Sequence, residues 1–259
     1  MPHTKDYIRK VKYLDFKFTM NQQLVRPDRF FFGTRSLPCP YIQGKIERKV
    51  VTDLSGANAA ELHERLTHSG FRRSHNLAYR PACPSCSACV PIRINVTGFQ
   101  TTKSFQRINR LNSDLRVVDV KAAATAEQYK LFSSYQHTRH SGGDMSTMKF
   151  SDYRAMVEDT PIESYTVEFR NPNETLLGVM LMDRIGDSLS AVYSFFDCQQ
   201  ERRSLGTYMI LWMVKRAQSL KLNYVYLGYW IDGSDKMAYK VRFKPTEILV
   251  KSKWRTLGI

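Results

Sequence analysis

Leu189-Ser-Ala-Val-Tyr-Ser-Phe-Phe196, then Gln200-Glu-Arg-Arg-Ser-Leu-Gly-Thr-Tyr208, then Tyr224-Val-Tyr-Leu-Gly228 are the stretches that decide the fold. The first is rich in β-forming residues and reads as a strand. From Leu205 to Ser219 the pattern changes period: Met209, Trp212, Met213, Arg216 and Ala217 recur at three to four residues, which predicts a helix. Tyr224 to Gly228 is again β-rich. A strand therefore feeds a helix, and a second strand follows. Free amides in the first turn of such a helix suit a phosphate or another anion. Arg203, Ser204 and Gly206 stand at that turn, Ser204 also fits an ordinary N-cap, and Gly206 leaves room for a ligand.

Working outward, Ile162 to Arg170 and Leu176 to Arg184 read as strands joined at Asn171-Pro-Asn-Glu174, and Gly186-Asp187 as a turn. A final strand is expected around Ile248 to Val250. Lys121 to Ala126 is expected to open a helix running to about Arg139, with Tyr129, Phe132 and Gln136 spaced helically. Towards the N-terminus, Val50 to Asp53 and Arg93 to Val96 read as strands. Asn58 to Ser69 reads as a helix ended by Gly70, and Ser104 to Ser113 as a basic helix carrying Arg107 and Arg110. The order of strands, strand–turn–helix and strand matches the cofactor-cradling half of an acetyltransferase-like (GNAT-like) α/β domain. Leu111 to Val120 is the best place to divide the chain. The expected organisation is residues 1–115 as an N-terminal α/β region, with a cysteine metal knot and a basic face, and residues 116–259 as the GNAT-like catalytic domain.

That knot is Cys83-Pro-Ser-Cys86-Ser-Ala-Cys89, with Cys39 upstream in Pro38-Cys39-Pro40-Tyr41. Two Cys-x-x-Cys steps sharing a middle residue bring thiolates to one point. With Cys39 as fourth ligand the expected site is closed and structural, holding zinc or a four-iron cluster. Cys198 is expected to be a free thiol. Five cysteines, an odd number, in a chain with no signal-peptide core at Met1-Pro-His-Thr-Lys-Asp6 argue for a reducing, cytoplasmic setting. No apolar run approaches the length of a membrane span, so no membrane partner is expected.

The formal charge is +15, from 39 Lys and Arg against 24 Asp and Glu. Such an excess favours an anionic partner: nucleic acid, an anionic membrane or a phosphorylated ligand. Arg72, Arg73, Tyr79, Arg80 and Arg93 bracket the cysteines, and arginine forks hold phosphate or carboxylate bidentately. Tyr226 to Phe243 is dense in aromatics and bases. It places Tyr229, Trp230, Lys236, Tyr239 and Lys240 near a strand end, where open α/β sheets bind ligands. His140 and Asp144, around the turn Gly142-Gly143, suit proton transfer or carboxylate recognition.

Taken together, Cys39-Pro-Tyr41, Gly70-Phe-Arg-Arg-Ser74, Tyr79 through Arg93, Arg139-His-Ser-Gly-Gly-Asp-Met145, Arg203-Ser-Leu-Gly-Thr-Tyr208, Tyr224 through Ile231 and Lys236-Met-Ala-Tyr-Lys240 carry a resemblance. The chain resembles the bacterial aminoacyl-tRNA–protein transferases, most closely the aspartate/glutamate leucyltransferase branch, over roughly residues 39 to 249. The resemblance implies transfer of leucine from leucyl-tRNA to the α-amine of proteins beginning with Asp or Glu, marking them for degradation through the N-degron pathway. It implies zinc or an iron–sulfur cluster in the cysteine region. The tRNA ester is already activated, so no nucleotide cofactor is required. On this reading Tyr229, Lys240, Asp197 and Lys236 line the reaction centre. Arg72, Arg73, Tyr79, Arg80, His140 and Asp144 read the acceptor or the tRNA, and Arg203, Ser204, Gly206 and Tyr208 hold the donor end. The competing readings are an arginyl-tRNA–protein transferase, a CoA-dependent N-acetyltransferase and a zinc-bearing RNA-binding protein.

Overall fold

The computed structural model describes residues 30–258. Its elements in chain order are β1 (Phe32–Gly33), β2 (Leu37–Pro38), β3 (Ile46–Glu47), β4 (Lys49–Asp53), α1 (Ala59–His68), β5 (Arg72–Ser74), β6 (Leu77–Pro81), β7 (Val90–Asn95) and α2 (Lys103–Leu111). There follow β8 (Arg116–Lys121), α3 (Ala126–Arg139), α4 (Phe150–Glu158), β9 (Ser164–Arg170), β10 (Leu176–Ile185), β11 (Ser188–Phe196), α5 (Leu205–Ser219), β12 (Tyr224–Trp230), β13 (Thr246–Val250) and β14 (Lys253–Thr256). The α/β class is as expected.

One eight-stranded sheet, in the order β14-β13-β7-β12-β11-β10-β9-β8, organises the molecule. β10 lies near its middle and is buried at nine of its ten residues, which is why its sequence is an apolar run rather than an alternation. The short turns at Asn171–Glu174 and Gly186–Asp187 make β9, β10 and β11 an antiparallel meander. α5 is long enough to cross over, so β12 returns parallel to β11. Phe105 and Ile108 of α2 and Met209, Met213 and Val214 of α5 join one buried cluster with Ile92, Ile94 and Val225 of the sheet. Phe132 of α3 and Tyr153, Met156 and Val157 of α4 form a second with Val179 and Phe195. The expected division at residues 115 and 116 falls between α2 and β8. β7, which precedes it, is an inner strand of the large sheet, between β12 and β13.

α3 starts later than its alanines suggest. Thr125 accepts from the Gln128 amide while the Gln128 side chain accepts from the Thr125 amide, a reciprocal cap that fixes the helix start at Ala126.

The N-terminal region forms a second sheet, β1-β4-β6-β5, with α1 packed through Leu62, Leu66 and Ala59 on Leu54 and Ala78. The expected metal knot is corrected here. Among the described residues no group of three or more His, Cys, Asp or Glu side chains is arranged to hold a metal ion, and the cysteines are free thiols. Cys39, Cys83, Cys86 and Cys89 do line one cavity of about 270 Å³. Their chemistry there is that of thiols: the Cys83 thiol donates to the Arg48 carbonyl at 3.7 Å, and burial with three neighbouring sulfurs pushes Cys89 up to about 11. Spacing in sequence brought the sulfurs to one loop, but the backbone does not turn them into a ligand set.

Candidate active site

β11 and β12 pair over only three residues, Ser188–Ser190 against Tyr224–Tyr226. Beyond that point β11 runs on to Phe196 and β12 to Trp230 without pairing to each other, so the sheet opens into a fork. Each arm is irregular at its root. Val192 is an extra residue opposite β10, and β12 slips register against β7 between Tyr226 and Gly228.

Arg72 fills the fork. Its Nη2 donates to the carbonyls of Ala191 at 2.7 Å and Val192 at 3.0 Å, the two that the β11 bulge presents together. Its guanidinium lies against Gly228, which has a φ of +81°. Only glycine combines that backbone with the space the arginine takes.

Lys240 closes the other side. It sits in the 3-10 turn Ala238–Arg242, is 6% exposed, and donates from Nζ to the Tyr229 carbonyl at 2.5 Å. Burial, then the Arg72 charge, lower its pKa to about 7. Tyr229 is buried beside it, and its hydroxyl donates to Gly70 O at 2.8 Å and to Tyr79 O at 3.2 Å, tying β12 to β6. Burial raises its pKa far above the ordinary phenol, so it stays a donor. Tyr79 is half-buried, tilted against the Tyr229 ring, with the Lys49 ammonium 5.5 Å from its ring centre.

Tyrosines surround this centre. Tyr193, on β11 just beyond the bulge, accepts from Gln136 Nε2 at 2.6 Å, and burial pushes it up to about 12. Tyr135 stands against Phe196 and His140. Tyr41 and Tyr239 feel the Arg72 charge. The result is a basic centre with phenolic walls, a setting that holds an anion or an ester oxygen and keeps one amine near neutrality.

His140 ends α3 and is exposed. Partial burial, then the charges of Lys236 and Arg139, lower its pKa, which puts His140 and Lys236 on one rim. Arg80 is exposed on the lining of the cysteine cavity, with Nη1 donating to Ser69 O at 3.0 Å. Asp144 is exposed at the start of the 3-10 turn Asp144–Thr147.

The remaining expected site residues lie elsewhere in role or place. Arg73 is 4% exposed and bidentate to Asp183 at 2.7 and 2.8 Å, with further bonds to His75 O and Ser164, so its fork is taken up inside the fold. Asp197 closes the turn after β11, accepting from the Gln199 amide and Gln200 Nε2. Arg203 grips Asp114 through two nitrogens at 2.7 and 2.8 Å. Ser204 makes no side-chain cap and has a φ of +50°. Gly206 packs against the Phe196 ring, where a Cβ would come within 3.0 Å. Tyr208 stands edge-on to Phe169. The turn before α5 is thus held largely by its own protein contacts.

Tyr193, Gln136, Tyr135 and Tyr41 were not among the expected site residues. Gly228 inside a β-rich run was the available signal for the fork, because a glycine there marks a bulge or a close approach.

Two family models match the chain: arginine-tRNA-protein transferase, N terminus, over residues 37–107, and arginine-tRNA-protein transferase, C terminus, over residues 127–250. The chain is 53% identical over 237 residues to the aspartate/glutamate leucyltransferase of Granulibacter bethesdensis, covering 92% of this chain and 88% of that protein. It is also 53% identical over 232 residues to that of Paramagnetospirillum magneticum, covering 90% and 95%. The chain belongs to the aspartate/glutamate leucyltransferase family. Arg72 and Tyr79 of this leucyltransferase lie in the stretch matched by the N-terminal model, and Tyr229 and Lys240 in that matched by the C-terminal one. The fork is where the two meet. Among solved structures, L-PGS from Bacillus licheniformis aligns at a TM-score of 0.44 with 8% identity, over 57% of this chain and 48% of that one. FemX aligns at 0.45 with 8% identity, over 73% and 65%.

Proposed function

We infer that this chain moves leucine from leucyl-tRNA to the α-amine of proteins beginning with Asp or Glu. The observation that carries the reading is 53% identity to aspartate/glutamate leucyltransferases across nine-tenths of the chain. A cytoplasmic setting is part of this reading; among the described residues no helix is long and apolar enough to cross a membrane.

The reaction is an aminolysis. The α-amine attacks the leucyl ester carbonyl, a C–N bond forms, the C–O bond to the ribose breaks, and the ribose oxygen leaves with a proton. The donor is already activated, so positioning and charge stabilisation supply the rate. An α-ammonium has a reference pKa of about 7.7–8.0, and an acceptor with a pKa near 7 can take its proton at little cost. Lys240 is our assignment for that acceptor. Arg72 supplies a fixed positive charge beside the developing oxyanion, held by two carbonyls so that it need not reorganise. Tyr229 orients the Lys240 side of the fork through its own carbonyl. Arg80, Lys236 and His140 are the exposed groups left to receive the acceptor's carboxylate.

A second reading rests on the family models, which are named for arginine as donor. One assay separates the two. Radiolabelled leucyl-tRNA and arginyl-tRNA are supplied separately to peptides beginning with Asp, Glu, Lys, Arg or Ala. Label from leucine on the Asp and Glu peptides alone is expected. Arginine on those peptides would move the chain to the arginyl reading, and leucine on Lys or Arg peptides would overturn the acceptor assignment.

A further inference from the structure

α2 is a short amphipathic helix whose outer side carries only positive charge. Phe105 and Ile108 are buried in the main cluster, while Lys103, Arg107 and Arg110 are exposed. At 100° per residue these three fall within an arc of about 60°, opposite the buried pair, along about 10 Å of helix. Among the described residues none of the three enters an ion pair. The nearest acid in sequence, Asp114, is neutralised by Arg203.

Further exposed cations flank the helix at its two ends. Arg242 lies over Phe105, with its guanidinium 5.7 Å from the ring centre and Nη2 donating to Ser104 Oγ at 3.5 Å. It belongs to the same 3-10 turn as Lys240, two residues along. At the other end Asn112 Nδ2 donates to Arg203 O at 2.8 Å, and the preceding residue, Arg202, is exposed. Three cations therefore form the row, and Arg242 flanks its N-terminal end from the turn that closes the fork.

We propose that the outer face of α2, with Arg242 and Arg202, is the docking stripe for the phosphate backbone of the aminoacylated tRNA. The proposal deepens the leucyltransferase reading and rests on it. Charge complementarity names the occupant: a row of unneutralised cations spaced along a rigid helix matches successive phosphates. A membrane surface fits less well, because interfacial helices present an apolar face outward, and the apolar face of α2 is buried in the core. The register follows from the connection to Lys240: with the stem on α2, the 3′ end is led towards the fork by Arg242.

The test is the triple variant Lys103→Ala, Arg107→Ala, Arg110→Ala in the full chain. Alanine suits an exposed helix position, so the fold is retained, which circular dichroism checks. A control triple, Lys251→Ala, Lys253→Ala, Arg255→Ala, makes the same charge change on the exposed hairpin β13–β14. Binding of leucyl-tRNA, uncharged tRNA and anionic vesicles is measured from 50 to 200 mM salt, and transfer to an Asp-starting peptide is measured alongside. The α2 triple is expected to weaken tRNA binding by about tenfold or more at low salt and to flatten the slope of log affinity against log salt by about 2 to 3. KM for leucyl-tRNA rises and kcat at saturating donor holds. Unchanged tRNA affinity, or an equal loss in the control triple, overturns the proposal. Loss of vesicle binding with tRNA binding intact overturns it in favour of a membrane. If the wild-type chain binds tRNA but transfers nothing, the catalytic reading fails and the stripe is still judged by the binding data.

Discussion

A Cβ at residue 228 would lie 1.6 Å from Arg72 Nη1, on a backbone with a φ of +81°. Gly228→Ala therefore forces Arg72 out of the fork as well as straining the strand. The expected outcome is a loss of about 1 kcal/mol or more in stability, and a fall in transfer approaching that of Arg72→Ala. Arg72→Lys should not rescue it, because a point ammonium does not span the Ala191 and Val192 carbonyls as a guanidinium does. Denaturant melts and single-turnover transfer read the two effects apart; full activity in Gly228→Ala would end the role given to Arg72. Lys240 makes a sharper prediction. Its folded pKa, about 7, lies below the ordinary lysine value of 10.5, so between those pH values the unfolded chain binds the extra proton. This group's contribution to stability therefore rises with pH from about 7 to 10.5 and is lost as the pH falls through 7. Lys240→Met should flatten that part of the stability profile and remove the rise of kcat through pH 7. A kcat profile unchanged in the variant would take proton transfer away from Lys240.

Strand geometry decides what two adjacent arginines do. Arg72 and Arg73 look alike in sequence, but consecutive residues of a strand face opposite ways. Arg72 points to the fork and Arg73 to Asp183, clamping β5 to β10. Removing one partner of a buried pair leaves an uncompensated charge, so Arg73→Ala should cost about 3–5 kcal/mol. KM for an Asp-starting peptide should be unchanged in whatever remains folded. A raised KM at unchanged stability would return Arg73 to the acceptor site. α5 was legible from its helical spacing, and β9 to β12 from their β-rich composition and from turns that carry Gly, Asn and Pro. α4 was missed although Tyr153, Met156 and Val157 keep helical spacing. Of the fork only Gly228 left a mark in the sequence. The fork depends on register slips at Val192 and near Gly228, and a period of two does not record which strand carries an extra residue. The cysteine loop shows the converse error: a spacing rule supplied sulfurs at one cavity without the geometry of a ligand set.

At the scale of the whole molecule the charge is unevenly committed. Arg73, Arg93, Arg116, Arg170, Arg203 and Arg216 are paired to carboxylates within the fold, so much of the +15 excess is carried by groups such as those along α2. Salt should therefore separate the two substrates. The tRNA contact is a sum over several phosphates, and each contributes about 0.7 to 0.9 to the slope of log affinity against log salt. The acceptor presents one carboxylate to the rim, a contact that a Debye length falling from about 10 Å at 0.1 M weakens only modestly. Raising salt from 50 to 200 mM should raise KM for leucyl-tRNA by more than tenfold and change KM for an Asp peptide less than threefold, as orders of magnitude. The fold itself should hold or gain stability over the same range, since screening relieves self-repulsion in a basic chain. Parallel salt titrations of both KM values and of the denaturation midpoint check this. Equal salt sensitivity for the two substrates would mean that the excess charge does not serve the tRNA.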